Sequence, residues 1–240
     1  YITQRQTFPD DPSFNSQWGM HNTGQSGGLE DADIDAPEAW SLSTGGVNAI
    51  GDDIVVAIVD GGCMLSHTDL DDNLWVNIDE IPGNNIDDDN DGYVDDVNGW
   101  NAFNSNGNVS SDGHGTHVAG IATGYHLHGE AGYNGIAPGA QVISLKIGNN
   151  ALAGGSTTTE SKKKAFTFIG EWAKKNDQIV VMNMSYGIGS EVEGDSDIDR
   201  ALDDILAKYP HHLYMSTSAG NSGPGISTVG QPAAAYLAFT

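Results

Sequence analysis

The sequence predicts an α/β fold, a doubly wound, mostly parallel sheet flanked by helices. Residues 54–59 are a continuous apolar run rich in β-branched side chains, typical of a strand buried on both faces. Strand-like runs alternate with helical segments along the chain, the pattern of a parallel sheet covered by helices. The first run ends at Asp60, and the carboxyl ends of strands in such sheets are where sites form.

The elements follow in a simple order. We expect helices at 36–43, 114–124, 156–176 and 197–208, and strands at 54–60, 142–147, 179–185 and 213–218. The helix at 156–176 has a polar start at Thr157–Glu160, and its lysines predict a solvated face rather than a binding site. These lysines are Lys162, Lys163, Lys164, Lys174 and Lys175.

The chain reads as one domain over residues 1–240, because it shows no internal repeats and no clear linker. Its 240 residues are enough for a sizeable core. Residues 71–110 are polar and rich in Asn and Asp, which predicts an insertion within that domain.

The composition is strongly acidic, with 9 basic against 33 acidic residues and a net charge of −24. This charge argues against nucleic acid and anionic membranes as partners. It suits a secreted protein, a salty habitat or cation binding. Cys63 is the single cysteine, which excludes an intrachain disulfide, and we expect it to be a small buried hydrophobe.

No stretch approaches transmembrane length. The start at Tyr1 without Met indicates an upstream segment that was removed or is not included. We therefore expect a secreted or cell-surface (extracytoplasmic) protein, which leaves room for an N-terminal propeptide as a partner.

The most informative run is Ser111-Asp112-Gly113-His114-Gly115-Thr116-His117-Val118-Ala119-Gly120. A His between two glycines at a helix start is placed for chemistry, because glycine lets backbone and substrate approach closely. Asp60, at a strand end, is suited to accept the second ring proton of His114 and to stabilise the imidazolium. A third run ends in Gly220-Asn221-Ser222-Gly223, where the Asn221 amide can donate to a developing oxyanion.

These three runs resemble the Asp, His and oxyanion-Asn motifs of the subtilisin-like serine proteases (subtilases). Their order, Asp60 before His114, agrees with that family. Asn134–Pro138, Asn183–Gly187 and the opening segments at 17–20 and 36–40 are further matches. One departure is Gly61, where the family usually has Ser or Thr.

The resemblance implies a serine endopeptidase acting on protein or peptide substrates. Asp60, His114 and Asn221 would be its catalytic residues. The family's Gly-Thr-Ser nucleophile motif is absent, so we expect the domain to be incomplete at its C-terminus, with the serine beyond Thr240 and residues 1–240 inactive alone. The residues resembling the family's substrate-binding edges are Gly154, Gly155, Ser185, Tyr186, Gly187, Ser218, Ala219 and Gly220.

An acidic loop at 87–98 matches the D-x-[DN]-x-[DN]-G calcium template in part. The expected oxygen ligands are Asp87, Asp89, Asp91, the Tyr93 carbonyl, and Asp95 or Asp96. Asn98 occupies position 12, where an EF-hand has Glu, so flanking helices are not expected. The alternative is an acidic surface loop, but so many close carboxylates repel one another without a cation, which favours structural Ca²⁺.

The sequence is compatible with two other functions. A metal-dependent hydrolase would use Asp112, His114 and His117, with His126 and His128 nearby in sequence. Against it, no Glu stands between the histidines as in a zincin, and in the peptidase reading His117 would be a buried helix residue. The third hypothesis is that the chain is an inactive fragment or a binding module.

Overall fold

A computed structural model describes residues 8–9, 11–48, 51–110, 112–125, 134–149, 156–189 and 194–240. The strands are β1 (Val55–Asp60), β2 (Gly99–Asn101), β3 (Gln141–Lys146), β4 (Gly148–Asn149), β5 (Ser156–Thr157), β6 (Val180–Met184) and β7 (Leu213–Thr217). The helices are α1 (Ala36–Trp40), α2 (Gly113–Thr123), α3 (Thr159–Lys175) and α4 (Asp197–Lys208).

The main sheet has five strands in the order β2-β3-β1-β6-β7, and every pairing is parallel. The central strand β1 lies between β3 and β6. All five strands therefore point their carboxyl ends to one edge. The expected α/β architecture, a parallel sheet flanked by helices, is confirmed.

Side chains of β1 alternate between two hydrophobic cores, as a pleated strand requires. Val55, Ala57 and Val59 belong to the core that includes residues of α3 and α4. Val56 and Ile58 belong to a second core with Ala119 of α2. Because both faces are covered, the strand reads as an unbroken apolar run in the sequence.

Cys63 is fully buried in the second core, which confirms its expected role as a small hydrophobe.

No helix among the described residues is long and apolar enough to span a membrane.

Two details differ from the sequence expectations. The helix expected from residue 156 begins at Thr159, because Thr158 caps it and forms a capping box with Ser161. Residues 156–157 instead pair with β4 as an antiparallel two-stranded sheet. The region 71–110 also contributes β2, an edge strand paired with β3. It is thus partly integrated into the main sheet.

The expected solvated lysine face of α3 is wrong at one position. Lys162 is only 3% exposed, whereas Lys163 and Lys164 are exposed. The cause is helical spacing, since Lys162 lies four and seven residues before the buried Phe166 and Ile169 and shares their face.

Candidate active site

Asp60 ends β1 and is 6% exposed. The Gly61 N–H donates to its Oδ1 at 2.7 Å. Burial raises the pKa of this carboxyl, while the Gly61 N–H and His114 act in the opposite direction. The carboxylate is therefore held at the sheet edge by its own backbone turn and by one imidazole.

His114 lies in the first turn of α2. Asp112 is the N-cap of this helix, and its Oδ1 accepts from the His114 N–H at 2.9 Å. Nδ1 of the His114 ring lies 2.9 Å from both Asp60 carboxylate oxygens. An ionised carboxylate only accepts hydrogen bonds, so Nδ1 carries the proton and Nε2 is left as the basic nitrogen. The side chain is 57% exposed, which leaves the ring accessible.

Two glycines allow this close approach of helix and strand. A Cβ at Gly115 would stand 2.2 Å from the Gly62 carbonyl oxygen and 3.1 Å from the Asp60 Cβ. Gly62 itself has φ +111°, and a Cβ there would stand 2.3 Å from the Val109 carbonyl oxygen. A larger residue at Gly115 would separate α2 from the turn after Asp60, and one at Gly62 would push that turn away from Val109.

Lys146 is a neighbour that the sequence analysis missed. It pairs with Asp60 in the register of β3 and β1, and it is 6% exposed. Its ammonium donates to the Gly61 carbonyl. Burial lowers the pKa of Lys146, and the charges of Asp112 and Asp60 oppose that shift. Its place near the carboxyl end of an expected strand of the parallel sheet was the available signal.

The expected substrate and oxyanion residues follow β6 and β7 at the same edge of the sheet. Ser185–Gly187 follow β6, and Ser218–Gly220 follow β7. The Ser218 N–H donates to the Met184 carbonyl at 3.1 Å, which ties the two segments together. Asn221 is exposed in the loop just beyond them.

Tyr186 joins this edge to the small sheet. Its phenol oxygen accepts from Thr157 Oγ1 of β5 at 2.7 Å. The expected substrate residues Gly154 and Gly155 lie outside the described residues, as do His126 and His128.

The alternative Asp112/His114/His117 metal cluster does not form. Asp112 is occupied as the helix cap, and His114 binds Asp60. His117 is exposed, which corrects its expected burial. A metal site needs several His, Cys, Asp or Glu side chains close together. In the part of the chain that the structure describes, one such group of three has ligand atoms within 4.8 Å of one another, namely Glu80, Asp87 and Asp89.

Asp87 and Asp89 of that group lie in the expected calcium loop, and Glu80, which precedes the loop in the sequence, is an addition to it. Both Asp87 oxygens accept backbone N–H groups, from Asp91 at 3.1 Å and Gly92 at 2.9 Å. The Glu80 carboxylate accepts from the Asp88 and Asp95 N–H groups at 2.8 and 2.9 Å. Glu80 is 5% exposed, so these hydrogen bonds tie the backbone of the loop to a buried carboxylate.

Asp96 fits a cation better than Asp95 does. Both carboxylate oxygens of Asp95 already accept hydrogen bonds from the backbone N–H groups of residues 83–85. Asp96 is fully buried, and its Oδ2 has no hydrogen-bond partner. Burial, with the charges of Asp91 and Asp89, raises the pKa of Asp96 to about 7. The orphaned oxygen and the all-oxygen donor set fit a hard cation such as Ca²⁺.

Lys175 of α3 contacts the same loop, with Nζ 3.3 Å from Asp89 Oδ2 and 3.6 Å from Asp91 Oδ2. Asn77 also donates to Asp89 and Asp96, at 3.4 and 2.8 Å. The Asn77 and Lys175 hydrogen bonds lower the pKa of Asp89, although its partial burial acts against them. A single ammonium compensates part of the charge of a cluster with at least four carboxylates.

Comparison with known proteins decides the family. The sequence profile of the subtilase family of peptidases (peptidase S8) matches residues 51–240. The chain belongs to the subtilase family. The resemblance drawn from the Asp, His and Asn motifs is confirmed.

Curated relatives match this subtilase over short segments. Tripeptidyl-peptidase 2 of Arabidopsis thaliana is 42% identical over 125 residues, which are 52% of this chain and 8% of that protein. Subtilisin-like protease 1 of Plasmodium falciparum (isolate 3D7) is 46% identical over 68 residues, 28% of this chain and 10% of that protein. The chain thus corresponds to a small part of these relatives.

Two solved structures share the fold of this subtilase. The S41 psychrophilic protease aligns with a TM-score of 0.56 and 28% identity, over 77% of this chain and 51% of that one. Sphericase aligns with a TM-score of 0.56 and 24% identity, over 80% of this chain and 52% of that one. The chain spans about half the length of each structure.

Proposed function

We propose that this chain is part of a serine endopeptidase that hydrolyses peptide bonds in proteins or peptides. The observation that carries the proposal is the bond of His114 Nδ1 to both oxygens of Asp60. It orients the ring, fixes its tautomer and leaves Nε2 to act as general base. Membership of a peptidase family supports the same chemistry.

The remaining roles follow from this pair. A serine beyond residue 240 gives its proton to Nε2 of His114 and attacks the substrate carbonyl. His114 then returns the proton to the leaving amine, and Asp60 stabilises the imidazolium in between. The Asn221 amide donates to the oxyanion, together with backbone N–H groups at the same edge.

Substrate binds as an added strand between the backbone edges near Gly154–Ser156 and Ser185–Gly187. The described members of the binding edge are Ser185, Tyr186, Gly187, Ser218, Ala219 and Gly220. Their common position after β6 and β7 supports this role. Nucleic acid and anionic membranes are not expected partners, because the chain is strongly acidic.

The acidic loop is proposed to hold one structural Ca²⁺. Asp87, Asp89, Asp91, the Tyr93 carbonyl and Asp96 are its proposed ligands, joined by Glu80. The ion supplies positive charge that offsets the repulsion among these carboxylates. This composition and the acidic surface favour a secreted or cell-surface location, where calcium is abundant.

The test uses the full-length protein that carries this chain. A phosphonofluoridate serine reagent should abolish cleavage of a casein or peptide substrate, and a zinc chelator should leave it unchanged. His114→Ala should reduce kcat by roughly 10⁴-fold or more. His117→Ala, on the exposed face of the same helix, is the matched control and should retain activity. Activity that resists the serine reagent and depends on His117 and zinc would refute the proposal.

A further inference from the structure

Lys162 is a buried cation whose role the proposed mechanism leaves open. It lies in the first turn of α3, directly after the capped start of the helix, and is 3% exposed. Lysine is almost never buried this deeply without a partner of opposite charge. Yet within the described ranges no carboxylate lies within ion-pair distance of its ammonium.

The ammonium lies over the ring of Tyr186, with Nζ 4.5 Å from the ring centroid. A cation over an aromatic face gains about 0.5–2 kcal/mol, which is small beside the cost of desolvating a charge. The helix N-terminus adds a partial positive charge that disfavours an ammonium. Burial accordingly lowers the pKa of Lys162 to about 8. Among the described residues the ammonium therefore has no anionic partner.

The position of Lys162 points to the source of such a partner. Tyr186 belongs to the proposed substrate-binding edge after β6. Its hydroxyl accepts from Thr157 of β5, so the two side chains bridge from that edge to the small sheet. Substrate held as a strand between these segments turns alternate side chains to the same face, so that one of them is placed to reach this bridge.

We propose that Lys162 is a specificity-determining residue, forming with Tyr186 a cationic subsite for an Asp or Glu side chain on the N-terminal side of the scissile bond. The inference rests on the proposed peptidase function and names its substrate class. The incoming carboxylate supplies the missing counter-ion, and a charge-assisted hydrogen bond in a desolvated site is stronger than a neutral one.

The overall charge of −24 does not contradict this preference. Repulsion between exposed charges is screened beyond about 8–10 Å at physiological salt, whereas a buried contact pair is screened much less. A local cation therefore decides selectivity at contact distance, even on an acidic protein.

The experiment measures selectivity in the full-length protein. Peptides that differ only by Asp or Asn, placed in turn at each of the four residues before the scissile bond, are compared by kcat/KM. Binding of the same sequences with a non-cleavable reduced peptide bond is followed by fluorescence polarisation. The wild type should prefer Asp over Asn at one position by about tenfold or more. Lys162→Met and Lys162→Gln should reduce that ratio to about one, and the exposed neighbour variant Lys163→Met should keep it.

Each outcome decides between the two proposals. Because the Asp/Asn ratio is measured within one variant, a general loss of stability does not change it. If the wild type cleaves peptides but the ratio is the same in Lys162→Met, the subsite is refuted and the peptidase stands. If the wild type binds Asp peptides preferentially through Lys162 but cleaves none, the subsite stands and the peptidase is refuted. If it neither binds nor cleaves any peptide, both are wrong.

Discussion

Asp60 and Lys146 stand opposite each other in the register of β1 and β3, and the Lys146 ammonium donates to the carbonyl of Gly61, the residue after Asp60. Asp60 is thus fixed on two sides. His114 binds its carboxylate, and Lys146 anchors the turn that follows it. The lysine contacts the peptide backbone, while both Asp60 oxygens lie 2.9 Å from Nδ1 of the imidazole.

Replacing Lys146 should disturb this turn. Lys146→Met removes a charge-assisted hydrogen bond to the part-buried carbonyl of Gly61, which costs roughly 1.5–3 kcal/mol of unfolding free energy. In the full-length protein kcat should fall more than KM rises, because the turn positions the proposed catalytic pair, Asp60 and His114, rather than the substrate. Urea unfolding and steady-state kinetics measure the two effects. The exposed-lysine variant Lys163→Met is the control, and equal behaviour of the two variants would argue against an anchoring role.

Asn221→Ala should lower kcat of the full-length protein by roughly 10²–10³-fold, the cost of one oxyanion donor. KM should hardly change, since the bond is made mainly in the transition state. Because Asn221 is exposed, the melting temperature should also stay the same. An unchanged kcat would remove Asn221 from the mechanism.

Gly115→Ala should be destabilising, because its Cβ would stand 2.2 Å from the Gly62 carbonyl oxygen. Overpacking of this kind typically costs 1–3 kcal/mol. The matched control is Gly113→Ala in the same helical turn, where a Cβ meets nothing within 4 Å. Urea unfolding of both variants tests the difference. Equal stabilities of the two variants would mean that α2 can shift away from the turn after β1 without loss of unfolding free energy.

Calcium removal should lower the melting temperature and expose residues 84–100 to proteolysis. At a hundredfold excess over Kd, a bound ion stabilises the folded state by about 2.7 kcal/mol. Asp89→Asn with Asp91→Asn, and Glu80→Gln separately, should reproduce the loss in calcium-containing buffer. Asp72→Asn, an exposed carboxylate outside the loop, should not. If neither the chelator nor the loop variants change the melting temperature, the loop is an acidic surface segment and the calcium proposal is wrong.

The burial of Lys162 predicts a pH dependence of stability. Its pKa is lowered to about 8 in the folded protein, against about 10.4 for an unfolded lysine. Between these values the unfolded chain binds more protons, so this group makes stability rise with pH across that window. Relative to Lys162→Met, the wild type should gain on the order of 2–3 kcal/mol between pH 7 and pH 10.5. Urea unfolding at several pH values measures this, with Lys163→Met expected to give no such gain.

Much of the fold follows from local signals in the sequence. The helix at 197–208 has the expected bounds, because Ser196 and Asp199 form a capping box at its start. Strand β1 is recognisable because both of its faces are apolar. Strand β2 has only three residues within a polar region, and its pairing with β3 is a long-range contact that no local pattern encodes.

Some residues of the candidate site could likewise be predicted from local sequence signals, and others could not. His114 and Asp60 stand out because glycine-flanked polar residues at element ends have few structural uses. Glu80 was missed because it lies outside the calcium template and meets the loop only through folding. Lys162 was misjudged because three consecutive lysines suggest solvent exposure, although its spacing from Phe166 and Ile169 already placed it on the buried face.

Helix α3 has a lysine with a separate task near each end. Its 17 residues make a rod about 25 Å long, with Lys162 under the proposed cleft and Lys175 against the acidic loop. The same helix therefore contacts both the acidic loop, through Lys175, and the proposed substrate-binding edge, through Lys162.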